Sequence, residues 1–193
     1  MLPGRLFLVG GVMLSCCTAS SLDSALSWSM RLQRRETARS LEQLKSVGGH
    51  QCLRDRTQFL CPWRKGPITQ VKLEEATSCY SQMLRQLLQL FDIEASRAAW
   101  PERALDQLLS SLWSELQVLK RAGEQGQSCP PPFALGIRTY FLGFFCYLKA
   151  KAHSPCSWEI VRVQVQVDLS AFPLSARRSP KERRSSMLES LLS

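Results

Sequence analysis

YLKAKAHSPCSWEIVRVQ, residues 147–164, is the most informative segment of the 193-residue chain. It runs from a basic turn into the last regular element of the protein, which opens with Cys156 and Trp158. A second cysteine, Cys52, lies among charged residues in QCLRDR at 51–56. Charged and apolar side chains around both cysteines are typical of a recognition surface rather than of an active site.

Composition and charge predict one secreted domain followed by a tail. A short apolar run from Leu6 to Leu14, followed by small residues, predicts a signal peptide at 1–20. One folded domain is expected at 21–172, and the Ser- and Arg-rich segment 173–193 is predicted to be a basic flexible tail. The net charge of +9 raises polyanions as partners, whereas neither membrane insertion nor a nucleic-acid partner is expected.

The cysteines also indicate an extracellular protein. Removal of 1–20 leaves six of the eight cysteines, at positions 52, 61, 79, 129, 146 and 156. In an oxidising compartment these predict disulfides, for which the sequence alone allows 15 complete pairings. The chain has no Cys-x-x-Cys pair and only two histidines, so no zinc site is expected. Since no Gly-x-Ser-x-Gly elbow is present, we predict that the protein is not an enzyme. A recognition function needs no cofactor, and none is expected.

Four stretches have the apolar periodicity of helices before the last element begins. The first is predicted from Leu22 to about Val47, stopped by Gly48-Gly49, and an irregular connection follows to about Thr69. The other three are predicted at Gln70–Phe91, from Ala99-Trp100-Pro101-Glu102 to Gly123, and around Ile137 to Leu148. Each stripe must be buried against the other helices, because such helices are not stable alone in water.

The last element fits two patterns. Alternating apolar residues, as in a strand, are found at Val161, Val163, Val165, Val167 and Leu169. One face of a helix would instead carry Trp158, Val161, Val165, Leu169 and Phe172. We predict a helix, because a lone strand would leave its backbone polar groups unpaired.

Three segments of the chain resemble the type I interferons. SPCSWE with Cys156 and Trp158, CLRDR at 52–56, and Ala98-Ala99-Trp100 are similar to family segments, the first to YLKEKKYSPCAWEVVRAE, and the likeness covers roughly 22–172. The resemblance implies an all-α fold, a four-helix up-up-down-down cytokine bundle with a fifth helix. It also implies a disulfide between Cys52 and Cys156.

The resemblance further implies binding to two type I interferon receptor chains and JAK-STAT signalling with antiviral, antiproliferative and immunomodulatory effects. Carried over by position, the high-affinity chain would contact Leu53, Arg54, Asp55, Arg56, Arg162, Val163 and Gln166. The low-affinity chain would contact Leu88, Gln89, Trp113 and Arg138. A monomer is expected, and the basic tail is a candidate site for heparan sulfate.

Departures from the family pattern indicate a divergent, limitin-like subtype. The cysteines at 61, 79, 129 and 146 are extra to the usual framework, and Gln166-Val167 replace a more basic stretch. Trp100 and Trp158 are expected in the core.

Alternatives remain open for several residues and for the function. Arg56 and Arg162 could be solvated surface arginines, Leu53 could point inward, and Trp113 could be core. The chain could also be a cationic protein that binds polyanions without a receptor, or a receptor antagonist of the same fold.

Overall fold

Six α-helices and a one-turn 3₁₀ helix form from residues 28–61, 73–122 and 128–172, the part of the chain that this computed structural model describes. The helices are α1 at 28–43, α2 at Leu73–Phe91, α3 at Glu94–Ala99, α4 at Glu102–Ala122, α5 at Pro131–Ala150 and α6 at Pro155–Ala171, and the 3₁₀ helix is Leu53–Asp55. These residues include no strand, so the all-α prediction is confirmed. Among them, no helix combines the length and the apolar character needed to cross a membrane.

Several predictions fall on residues outside the described ranges. They concern the signal peptide at 1–20, the first helix before residue 28, the connection at 62–69, the start of the second helix at 70–72, Gly123 and the basic tail at 173–193.

The helix boundaries that differ from the sequence prediction include the end of α1 and the start of α4. α1 ends at 43, before Gly48-Gly49. Leu44, which follows it directly, is buried, but the segment 45–51 has no buried side chain for a further helical turn to pack. The helix predicted to open at Ala99 begins instead at Glu102, after Pro101. Trp100 precedes a proline and therefore adopts an extended backbone, which separates the two helices.

α3 was not predicted, because six residues are too short for a clear apolar period. Ala95 and Ala99 pack against the core, and Arg97 Nη2 lies 2.6 Å from Asp92 Oδ1. The segment between the second and third predicted helices therefore contains a further turn and a half of helix.

α6 is a helix, which confirms the choice between the two patterns. Ser157 N–H donates to Ser154 Oγ at 3.3 Å, and Pro155 occupies the first turn, where its missing amide hydrogen has no partner to lose. The face predicted from the spacing is the buried one, with Trp158, Val161, Val165, Leu169 and Phe172 all in the core.

The direction of α1 relative to α4 follows from two cross-helix hydrogen bonds. Thr37 bonds to Glu115 at 2.7 Å, and Ser40 bonds to Ser111 at 3.1 Å. Since the residue number rises on α1 as it falls on α4, the two helices are antiparallel.

α6 runs opposite to both α1 and α2. On α1, the earlier residue Arg34 contacts Phe172 after the end of α6, and the later Leu41 contacts Arg162 nearer its start. On α2, the earlier Tyr80 contacts Phe172 and the later Phe91 contacts Trp158. α1 and α2 therefore point one way and α4 and α6 the other, which confirms the up-up-down-down bundle. α5 is the added helix, joined to α6 by a tight turn and by a 2.6 Å bond from Tyr140 to Asp168.

Candidate functional site

The 3₁₀ helix Leu53–Asp55 is fastened to the body of the protein at both ends. Cys52, just before it, forms a disulfide with Cys156 in the first turn of α6, with an S–S distance of 2.08 Å. At the other end, Tyr147 Oη donates to the Asp55 backbone oxygen at 2.7 Å, and Lys151 Nζ lies 2.9 Å from Asp55 Oδ1. The loop is therefore held over the junction of α5 and α6.

Three of the four predicted loop residues are exposed. The Leu53 side chain is 53% exposed, so the alternative that it packs inward is wrong, and Cys52 is the residue that enters the core. Arg54 and Arg56 are also exposed, whereas Asp55 is half-buried and faces Lys151. The loop thus presents one apolar and two cationic side chains.

Arg162 has a different environment from the loop arginines. It is only 3% exposed, and its Nε and Nη2 atoms each donate to the Glu159 carboxylate at 2.8 Å. Its Nη1 atom donates to the Leu41 backbone oxygen and to Gln166 Oε1, both at 3.2 Å. The alternative of a solvated Arg162 is therefore wrong: this side chain joins α6 to the end of α1, and the hydrogen bonds to Glu159 raise its pKa.

Beside Arg162, the outer face of α6 is a shallow and uncharged surface. Val163 is 41% exposed and Gln166 is half-buried, with Gln166 Nε2 donating to Glu42 Oε2 at 3.1 Å. The surface continues along the helix through Val167, Ser170 and Ala171. Contacts made by the α6 side chains here would rest on shape and hydrogen bonding, with the exposed Glu42 carboxylate of α1 beside Gln166.

The residues carried over for the low-affinity chain lie on three helices, of which α2 packs against both α4 and α5. Trp113 on α4 is 54% exposed, so its alternative as a core residue is wrong, and Lys120 Nζ lies 5.4 Å from its ring centroid. On α2, Leu88 is half-buried and Gln89 is exposed; on α5, Arg138 is exposed.

Sequence reasoning missed two exposed leucines on α5. Leu135 and Leu142 lie three and four residues from Arg138 and share its outward face. Their signal in the sequence is that both fall outside the stripe of Ile137, Tyr140, Phe141, Phe144 and Leu148 that α5 buries.

The four extra cysteines do not all form disulfides. Cys79 on α2 is bonded to Cys129 just before α5, with an S–S distance of 2.06 Å. The expectation of disulfides throughout is wrong for Cys61 and Cys146, because the first is buried in the core and the second is exposed on the outside of α5. No three His, Cys, Asp or Glu side chains converge as metal ligands within the described ranges.

Comparisons with known proteins identify relatives along nearly the whole chain. The family model of the interferon alpha/beta domain matches residues 26–177. Interferon alpha-1 of Bos taurus is 33% identical over 190 residues, which cover 95% of this chain and 99% of that protein. Interferon omega-1 of Equus caballus is 34% identical over 167 residues, 83% and 85% of the two chains. Zebrafish interferon 2 shares the fold, with a TM-score of 0.60 at 20% identity over 73% of this chain and 95% of its own.

Proposed function

The chain belongs to the interferon alpha/beta family, whose members are cytokines and not enzymes, and we propose that it is secreted as a monomer and bridges two type I interferon receptor chains. Bridging brings the receptors' cytoplasmic parts together and activates JAK-STAT signalling, with antiviral, antiproliferative and immunomodulatory outcomes. The proposal requires two separate binding faces on one bundle.

The observation that carries the proposal is the fastened loop at Leu53–Asp55. Three tethers fix its backbone while Leu53, Arg54 and Arg56 remain outside. A pre-ordered loop loses little conformational entropy on binding, and arginine beside an apolar side chain is a common interface anchor. With Val163 and Gln166 on α6, these residues form the proposed high-affinity face.

Arg162 is almost fully buried, so it supports that face by positioning other residues rather than by a large contact area of its own. Its bonds to Glu159 and Leu41 fix α6 against α1, and its bond to Gln166 orients a side chain of the proposed surface. Its replacement by Ala would also leave Glu159 as a buried charge without this partner, which typically costs about 3–5 kcal/mol. Variants at exposed positions therefore test the face more cleanly than Arg162→Ala.

The proposed low-affinity face consists of Leu88, Gln89, Trp113 and Arg138. Supporting evidence is the exposure of an indole ring beside a lysine on α4 and of an arginine between leucines on α5. Trp and Arg are the side chains most enriched among residues that dominate interface energies.

A reporter assay on matched cells with and without the receptor tests the bridging function. We expect signalling that requires the receptor, and we expect Leu53→Ala with Arg56→Ala to weaken binding of the high-affinity chain. Trp113→Ala with Arg138→Ala should retain that binding and lose signal. Arg103→Ala, an exposed change at the start of α4, serves as the control. Folded protein that binds both chains without signalling would identify an antagonist, and a signal independent of the receptor would refute the proposal.

A second candidate function is retention on heparan sulfate. It is supported by the net charge of +9 and by the five basic residues in 173–193. The two functions are compatible, because the tail is separate in sequence from both proposed receptor faces.

A further inference from the structure

The first turns of α5 are weakly held by packing and capping. The N-cap residue is Pro130, which makes no capping hydrogen bond from its side chain. The segment 131–136 has no fully buried side chain, and the first one on α5 is Ile137. Phe133 is partly buried against the core and is the main apolar contact of this segment. Something other than a packed apolar stripe must fix the helix start.

The Cys79–Cys129 disulfide supplies that attachment. Cys79 lies on α2 with 1% of its surface exposed, so one end of the crosslink is in the core. Cys129 is two residues before Pro131, the first residue of α5. The bond therefore fixes the entry of α5 against α2, across a sequence separation of 50 residues.

The part of α5 that follows presents an exposed apolar surface. Leu135 is 62% and Leu142 59% exposed, and Arg138 lies between them on the same side of the helix. Gly143 adds open space, since a Cβ atom placed there would have no neighbour within 4 Å. Contiguous exposed apolar patches mark interaction sites, and arginine is enriched in protein interfaces.

We infer that the Cys79–Cys129 disulfide is a positioning element of the low-affinity receptor face, and that Leu135 and Leu142 belong to that face with Arg138. The crosslink holds the start of α5 against α2, which carries Leu88 and Gln89. This inference rests on the proposed receptor-bridging function. The two disulfides then serve different faces: Cys52–Cys156 holds the loop on α6, and Cys79–Cys129 holds α5.

Binding of the full mature protein to each isolated receptor ectodomain tests whether the two disulfides support different receptor faces. For Cys79→Ala with Cys129→Ala, we expect affinity for the low-affinity chain to fall roughly tenfold, with affinity for the high-affinity chain unchanged. Cys52→Ala with Cys156→Ala should show the reverse. Leu108→Ala, a truncation in the core of α4, lowers stability without touching either crosslink and should leave the ratio of the two affinities unchanged.

Hydrogen exchange provides a readout that does not involve the receptor. Amides of residues 133–137, the first in α5 after its two prolines, should lose protection in the Cys79/Cys129 double variant, while amides of α6 keep theirs. If the double variant does not fold, Cys129→Ser opens the same crosslink and leaves the core sulfur of Cys79 in place.

Each result decides the inference. An unchanged affinity for the low-affinity chain, an equal loss for both chains, or unchanged protection at 133–137 overturns it while the bridging function stands. Wild-type protein that binds neither ectodomain overturns the proposed function, and with it this inference.

Discussion

Glu115 is the least expected side chain in the bundle, a carboxylate that is 1% exposed between α1, α2 and α4. Thr37 Oγ1 and Tyr80 Oη donate to its two oxygens at 2.7 and 2.6 Å, and Arg34 lies over the Tyr80 ring. The hydrogen bonds from Tyr80 and Thr37 and the charge of Arg34 lower the pKa of Glu115, but burial has the larger effect and raises this pKa above its ordinary value.

The raised pKa predicts that acid stabilises this site. A carboxyl group with a higher pKa in the fold than in the unfolded chain favours the folded state once it is protonated. The free energy of unfolding of the wild type relative to Glu115→Gln should therefore increase as pH falls through the raised pKa, and level off below 4.5, the ordinary value. Urea unfolding of both proteins between neutral and acidic pH measures this difference. A difference that shrinks in acid would show that the fold favours the ionised carboxylate.

The turn between α5 and α6 contains two consecutive left-handed residues that are not glycine. Ala152 has φ 49° and His153 has φ 52°. A residue with a Cβ atom in this conformation destabilises the fold by about 1–2 kcal/mol. Glycine removes this strain, but its greater freedom in the unfolded chain costs roughly 0.5–1 kcal/mol of stability.

Ala152→Gly should therefore stabilise the protein by about 0.5–1 kcal/mol in a urea titration. Ala98→Gly, an exposed change within α3, is the control and should destabilise by about 1 kcal/mol. Destabilisation of similar size by both changes would mean that the turn carries no such strain.

At the scale of single elements, the fastening of the 3₁₀ helix can be separated from the stability of the bundle. Burial, with the nearby Asp55, raises the pKa of Tyr147 to about 12, so its hydroxyl remains a donor at neutral pH. Tyr147→Phe with Lys151→Gln removes the 2.7 Å hydrogen bond and the 2.9 Å ion pair to Asp55. Both contacts are partly exposed, so the loss of stability should be limited to about 1–2 kcal/mol.

We expect the double variant to dissociate a few times faster from the high-affinity receptor chain, because a looser loop must be ordered again on binding. Surface plasmon resonance measures this rate. Lys149→Gln, an exposed change in the last turn of α5, is the control and should have no effect. Unchanged dissociation would show that the disulfide alone is sufficient to hold the loop.

Sequence periodicity predicted elements well where the apolar stripe is long. The choice of a helix for α6 was correct because a helical face collects Trp158, Val161 and Val165, whereas the valine alternation has no second strand to pair with. Periodicity did not predict α3, because a turn and a half of helix is too short to show an apolar period. It also misplaced the end of α1, where the helix stops because burial is lost and not because of a glycine.

The candidate site was less predictable than the fold. Position 162 lies four residues after Trp158 and three before Val165, so the spacing itself put Arg162 on the buried face, beside Glu159 at i−3. Nothing in the local sequence indicates that Cys79 pairs with Cys129, because the two residues meet only through the packing of α2 against α5. Spacing predicts which side of a helix is buried, but not which two helices meet.

For the whole molecule, charge and packing separate the two candidate functions. Polyanion binding is driven by released counterions and weakens steeply between 50 and 200 mM salt when several cationic groups take part. A receptor interface built on Leu53, Val163 and Trp113 buries apolar area and depends far less on salt. The same protein should therefore lose heparin affinity and keep receptor affinity over one salt range.

Replacement of Arg177, Arg178, Lys181, Arg183 and Arg184 by serine keeps the chain length and removes five cationic groups. We expect this variant to elute from immobilised heparin at lower salt, with a smaller dependence of the logarithm of affinity on the logarithm of salt concentration, because fewer counterions are released. Affinity for both receptor chains should be unchanged. An unaltered heparin elution would instead assign the polyanion site to the helical domain, where the exposed basic residues include Lys120 and Arg121 at the end of α4.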